Sequence, residues 1–144
     1  MQMEWKQPEG LRRHWVLENL DAELLFNPFP PGSAQGRIGD EVYDLRQSGN
    51  LRKVSTLSAH GQPIATLEQR AAGAAATLHY LGADYLWKPA NPLATRWTLS
   101  TSSGATVFHL LPGRGLAKDA RVELDAPPAE AAALLLLCWY VMVL

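Results

Sequence analysis

The run AAALLLLCWYVMVL at positions 131–144 constrains this chain most, because it holds no charge, no Gly and no Pro. Successive helical residues are rotated by about 100°, so the consecutive Leu134, Leu135, Leu136 and Leu137 point to every side and leave no face for water. Such a helix has to be surrounded. Pro128 in the first turn and Glu130 near the positive end of the dipole are helix-start signals, and they predict a helix over 128–144.

The rest of the chain supplies the surround. Between positions 3 and 125, turn residues recur at short intervals and β-branched and aromatic residues lie between them. Strands are predicted near 4–7, 12–17, 23–26, 37–46, 51–57, 63–69, 74–80, 85–88, 96–100, 106–111 and 118–124. Ala59-His60-Gly61-Gln62, Leu81-Gly82-Ala83-Asp84 and Ser102-Ser103-Gly104 have hairpin length and composition, which predicts mostly antiparallel pairing. Gly113-Arg114-Gly115 reads as another hairpin link. A weak echo runs through Trp15-Val16-Leu17, Ser55-Thr56-Leu57 and Trp97-Thr98-Leu99, spaced about 40 residues apart; a propeller has such periods but no use for an apolar terminal helix.

A barrel of about eight strands is filled by its own side chains, so room for a helix about 10 Å across demands more strands. Cans of about 11 strands around a helix satisfy that condition. The expected fold is therefore mainly β, a closed antiparallel barrel around a buried hydrophobic C-terminal helix, with the whole of 1–144 as one domain. Because Leu, Trp and Tyr should fill such a barrel, little room is expected beside the helix.

Composition excludes several classes. Lys plus Arg number 13 against 14 Asp plus Glu, a net charge of -1, which argues against a nucleic-acid binder. Cys138 lies inside the apolar run, where a thiol acts as a small hydrophobe. The N-terminal MQMEWKQPEG has no apolar core of a signal peptide, so a cytoplasmic protein is expected. The apolar run falls short of the roughly 20 residues of a bilayer span, which favours a buried helix over a tail anchor.

No cofactor or metal motif stands out. His14, His60, His79 and His109 are scattered without zinc spacing, although His79 and His109 could meet across a sheet. Ser102 and Ser103 belong to a turn, and no phosphate-cradling loop or paired-carboxylate site is present, so the chain reads as non-enzymatic. Trp139 is expected in the core and Trp97 against the helix, with Trp5, Trp15 and Trp87 half wet at a surface. The candidate binding residues are basic. Arg12 and Arg13 abut one strand, Arg52 and Lys53 abut another, and the two pairs could lie side by side to take a phosphate or anionic headgroup.

The hairpin pattern Arg96-Trp97-Thr98-Leu99 with Gly104, the Tyr80-Leu81-Gly82-Ala83-Asp84-Tyr85 hairpin, and the closing Pro-Pro-x-Glu with its leucine-rich helix resemble the tubby C-terminal-like superfamily. Its members include LURP-one-related and phospholipid-scramblase-like proteins. The resemblance implies a twelve-stranded closed barrel around the C-terminal helix, and points to phosphoinositide binding through basic residues on the barrel. The scramblase-like acylated cysteines and calcium-binding acidic segment have no counterpart in this sequence. The expected function is an anionic-lipid or phosphoinositide binding module, or a docking partner for another protein. The alternatives are a hydrophobic-ligand carrier or hydrolase with a cavity beside the helix, and a tail-anchored protein.

Overall fold

The computed structural model describes residues 1–9, 12–70, 75–113 and 119–144. Twelve strands precede one helix: β1 (Gln2–Trp5), β2 (His14–Leu17), β3 (Ala22–Phe26), β4 (Ala34–Ile38), β5 (Glu41–Ser48), β6 (Lys53–Ala59), β7 (Gln62–Gln69), β8 (Ala76–Tyr80), β9 (Ala83–Pro89), β10 (Trp97–Thr101), β11 (Thr106–Pro112), β12 (Ala120–Leu124) and α1 (Pro128–Val143). They form one antiparallel sheet in the order β1-β12-β11-β10-β9-β8-β7-β6-β5-β4-β3-β2. Between its two edges, Lys6 and Val16 exchange both backbone hydrogen bonds, at 3.0 and 2.8 Å, and the sheet comes round into a nearly closed barrel.

Alternation builds the wall. On β12, Ala120, Val122 and Leu124 are buried while Arg121 is exposed; on β3, Ala22, Leu24 and Phe26 point inward. The wall is apolar inside and polar outside, the reverse of a lipid-facing barrel. Through it runs α1, buried on all sides from Ala131 to Tyr140, as four consecutive leucines require. None of the described helices is long and apolar enough to cross a membrane.

Packing of α1 explains two features of the wall. Gly36 on β4 faces Leu136, and a Cβ there would lie 2.4 Å from a Leu136 methyl, so only glycine admits the helix at this distance. Trp139 stacks on Trp5 at 6.2 Å and meets Trp15 edge-on at 6.0 Å, while Tyr140 stacks on Phe26 at 5.5 Å. Trp5, Trp15 and Trp87 are thus fully buried rather than half wet: strand alternation turns them inward beside exposed neighbours such as Glu4.

Other expectations need correction. The stretch 37–46 is two strands, because Gly39, at φ 58°, and Asp40 turn the chain. His79 and His109 do not meet, since β9 and β10 separate β8 from β11; His79 instead bonds Asp84, and His109 bonds Thr98 at 2.7 Å. The predicted strand starts at 74 and 118, and Arg114-Gly115 of the link, lie outside the described residues. The sequence echo has a structural meaning: its three copies fall on β2, β6 and β10, every fourth strand, with Leu17, Leu57 and Leu99 all inward.

Candidate functional site

Antiparallel order sends every odd strand of the wall toward the end of the barrel where α1 terminates, and every even strand starts there. The connections at this end, the mouth, are long: positions 6–13, 27–33, 49–52, 70–75, 90–96 and 113–119. At the opposite end β4–β5, β6–β7 and β8–β9 are joined by Gly39-Asp40, His60-Gly61 and Leu81-Gly82, and β2–β3 and β10–β11 by four residues each, 18–21 and 102–105. His60-Gly61 and Leu81-Gly82 have positive φ at both residues, the backbone of tight hairpin turns.

Charge separates along the same axis. Among the described residues, the mouth connections carry Lys6, Arg12, Arg13, Arg52, Arg70 and Arg96 against Glu9 and Asp119. The opposite connections carry Glu18, Asp21, Asp40 and Asp125 and neither Lys nor Arg. The arrangement complements the dipole of α1, whose C-terminal carbonyls lie at the mouth. A helix pole amounts to about half a charge, however, and one cation satisfies it. That cation is Arg13: its Nη2 donates to the Val143 carbonyl at 2.7 Å, and its guanidinium lies 4.0 Å above the Phe26 ring.

The four predicted binding residues therefore share one end but form no single cluster. β2 and β6 are four strand spacings apart, roughly 19 Å along the wall at about 4.8 Å each. Arg12 is committed to Glu9 at 2.5 Å, and its guanidinium, by hydrogen bonding and then by charge, holds that carboxyl below its usual pKa. Arg52 stands 3.9 Å from Glu68. Lys53 donates to the Gly49 carbonyl at 3.1 Å and faces a cleft. The turn before it depends on Gly49, at φ 95°, where a Cβ would strike the Arg52 carbonyl oxygen at 2.0 Å.

This cleft, of about 550 Å³, opens beside the end of α1. Its polar lining is Gln47, Asn50, Lys53, Gln69 and Arg70, with no carboxylate side chain, and its apolar lining includes Trp97, Val141 and Met142. The expectation of little room beside the helix fails here. Ser55, buried on β6 and bonded by Gln47 Nε2 at 3.2 Å, occupies the echo position at which β2 and β10 carry Trp15 and Trp97. The position thus carries a hydroxymethyl, beside Gln47 of the cleft wall, where two equivalent strands carry an indole.

Two lining residues are unspent. Arg70 makes no ion pair among the described residues, and Gln69 is only 7% exposed with no side-chain hydrogen bond among them. The Gln69 amide is not among the buried unpartnered groups, so it meets solvent at the cleft, where its donor and acceptor are accessible. Arg70 and the cleft are absent from the sequence reading. Their only trace is the position of Arg70 just after β7, at the same barrel end as Arg52.

The described residues contain no cluster of His, Cys, Asp and Glu able to hold a metal. Burial pushes the Cys138 thiol well above its ordinary pKa, which makes it a poor nucleophile. No protein-family model matches the chain, and no curated protein or solved structure is significantly similar to it.

Proposed function

We propose that this barrel is a non-enzymatic module that binds an anionic headgroup, a phosphate ester or phosphoinositide-type group, in the mouth cleft. The observation that carries this reading is a cleft lined by Lys53, Arg70 and three side-chain amides, without an Asp or Glu side chain, at the basic end of a charge-polarised barrel. Lys53 and Arg70 supply charge, Gln69 supplies a directional bond, and Trp97, Val141 and Met142 accept the apolar base of an acyl glycerol. Arg52 flanks this cleft, whereas Arg12 and Arg13 stand farther along the rim and raise the local anion concentration. The tubby-like resemblance is kept as part of the proposal, supported by twelve strands around a C-terminal helix.

Isothermal titration with water-soluble dihexanoyl phosphatidic acid at low salt tests the reading, with dihexanoyl phosphatidylcholine as the neutral control. Lys53→Glu with Arg70→Glu should weaken phosphatidic acid binding by at least about 30-fold, or roughly 2 kcal/mol. Asp40→Lys at the opposite end should leave it unchanged. Equal binding of the two lipids, or insensitivity to the double reversal, would reject the cleft as an anion site.

A further inference from the structure

The mouth is also where this chain displays apolar side chains to water. Phe29, Leu51 and Leu93 are 82, 92 and 83% exposed, and each belongs to a different mouth connection, β3–β4, β5–β6 and β9–β10. None belongs to the hydrophobic core or packs against it. Scattered single apolar residues on a surface need no explanation, but three at one end, interleaved with Arg12, Arg52, Lys53 and Arg70, form a pattern. Leu81, 73% exposed, and Met1 lie at the other end, among carboxylates.

We infer that the mouth is a membrane-docking face. The headgroup of the reading above belongs to a lipid still in its bilayer, and Phe29, Leu51 and Leu93 enter the interfacial layer around it. The inference rests on the headgroup reading and adds the source of the ligand and the orientation of the protein. Charge complementarity selects the occupant: an anionic leaflet attracts the basic rim and repels the end carrying Glu18, Asp21, Asp40 and Asp125. Three tips spread around the rim define a plane across the barrel, so docking points the barrel axis toward the bilayer. A nucleic acid would use the cations and leave the apolar tips in water.

Cys138 permits a direct test, because it is the only cysteine and is buried. In Leu93→Cys and, separately, Leu81→Cys proteins, an environment-sensitive fluorophore on the new thiol reports on one end at a time. With vesicles of phosphatidylserine and phosphatidylcholine the probe at position 93 should shift to the blue, and with phosphatidylcholine alone it should not. The probe at position 81 should shift with neither. Phe29→Ser with Leu93→Ser, which leaves the cleft lining intact, should lower vesicle affinity by about 100-fold and leave affinity for dihexanoyl phosphatidic acid unchanged. Vesicle binding like that of the unmodified protein, or equal shifts at positions 81 and 93, would overturn insertion while the headgroup reading stands. Binding of the short-chain lipid without binding of vesicles would show that the bilayer is the wrong source. If neither binds, the headgroup reading has failed first and the docking face falls with it.

Discussion

The two ends of this barrel are made by the same twelve strands and have little else in common. One end has acidic connections of two to four residues; the other has connections of four to eight residues, a basic rim, exposed apolar tips and a cleft. Short turns fix strand register and hold little else, whereas long loops on a rigid scaffold are free to carry binding groups. In the proposed function the hairpin end serves the fold and the mouth serves the ligand. Only α1 belongs to both.

The largest effect should therefore come from damage to α1, since it removes the element that the two ends share. Leu136→Asp places a carboxylate in a fully buried position against Gly36, with no cation to pair it. The expected result is loss of cooperative thermal unfolding, a cost above about 5 kcal/mol, and deletion of residues 139–144 should do the same by leaving the aromatic cluster hollow. Circular dichroism melts check both. A variant that melts cooperatively near the parent would mean that the wall stands without its helix.

Next comes Gly36→Ala, which adds one methyl at mid-barrel. Its Cβ would meet Leu136 at 2.4 Å, and Leu136 is itself packed on all sides, so the helix or β4 has to move. Overpacking of this kind costs about 1–3 kcal/mol. Chemical denaturation should show a lower midpoint with an unchanged slope, and an unchanged midpoint would mean that the helix sits farther from β4 than the structure places it.

How much of this contrast could be read beforehand depends on range. The helix was legible because four adjacent leucines exclude every partly exposed arrangement, and the predicted span 128–144 differs from Pro128–Val143 by one residue. Strands were legible where alternation and turn residues agreed, as on β10 and β12. The stretch 37–46 misled because Gly39-Asp40 interrupts two polar-rich strands without an apolar run on either side to mark them. Trp5, Trp15 and Trp87 misled because an indole suits a half-wet surface by residue type, whereas alternation sets which face it takes. Arg12, Arg13, Arg52 and Lys53 were legible as basic pairs, but their partners Glu9, Glu68 and the Val143 and Gly49 carbonyls are set by tertiary structure. The cleft is lined by residues from β5, β6, β7, β10 and the end of α1, which only the rolled sheet around its helix brings together.

The smallest predicted effect separates the ends most cleanly, because it loosens only one. Tyr140 donates its hydroxyl to the Gly32 carbonyl and so ties α1 to the loop 27–33 that carries Phe29. Burial pushes the Tyr140 hydroxyl from 10.0 up to about 12, opposed by the nearby Arg13 charge. A raised folded-state pKa means that the unfolded chain releases its proton first as pH rises, so the tyrosine's contribution is intact below pH 10 and declines between 10 and about 12. Tyr140→Phe should cost about 1 kcal/mol at neutral pH, for one hydrogen bond and an unpaired carbonyl, and should flatten the alkaline limb of stability against pH. Amide exchange in 27–33 should quicken while exchange at the His60-Gly61 and Leu81-Gly82 turns stays as it is. Uniform quickening at both ends would mean that the mouth is not an independently anchored region, and the division between a folding end and a binding end would have to be given up.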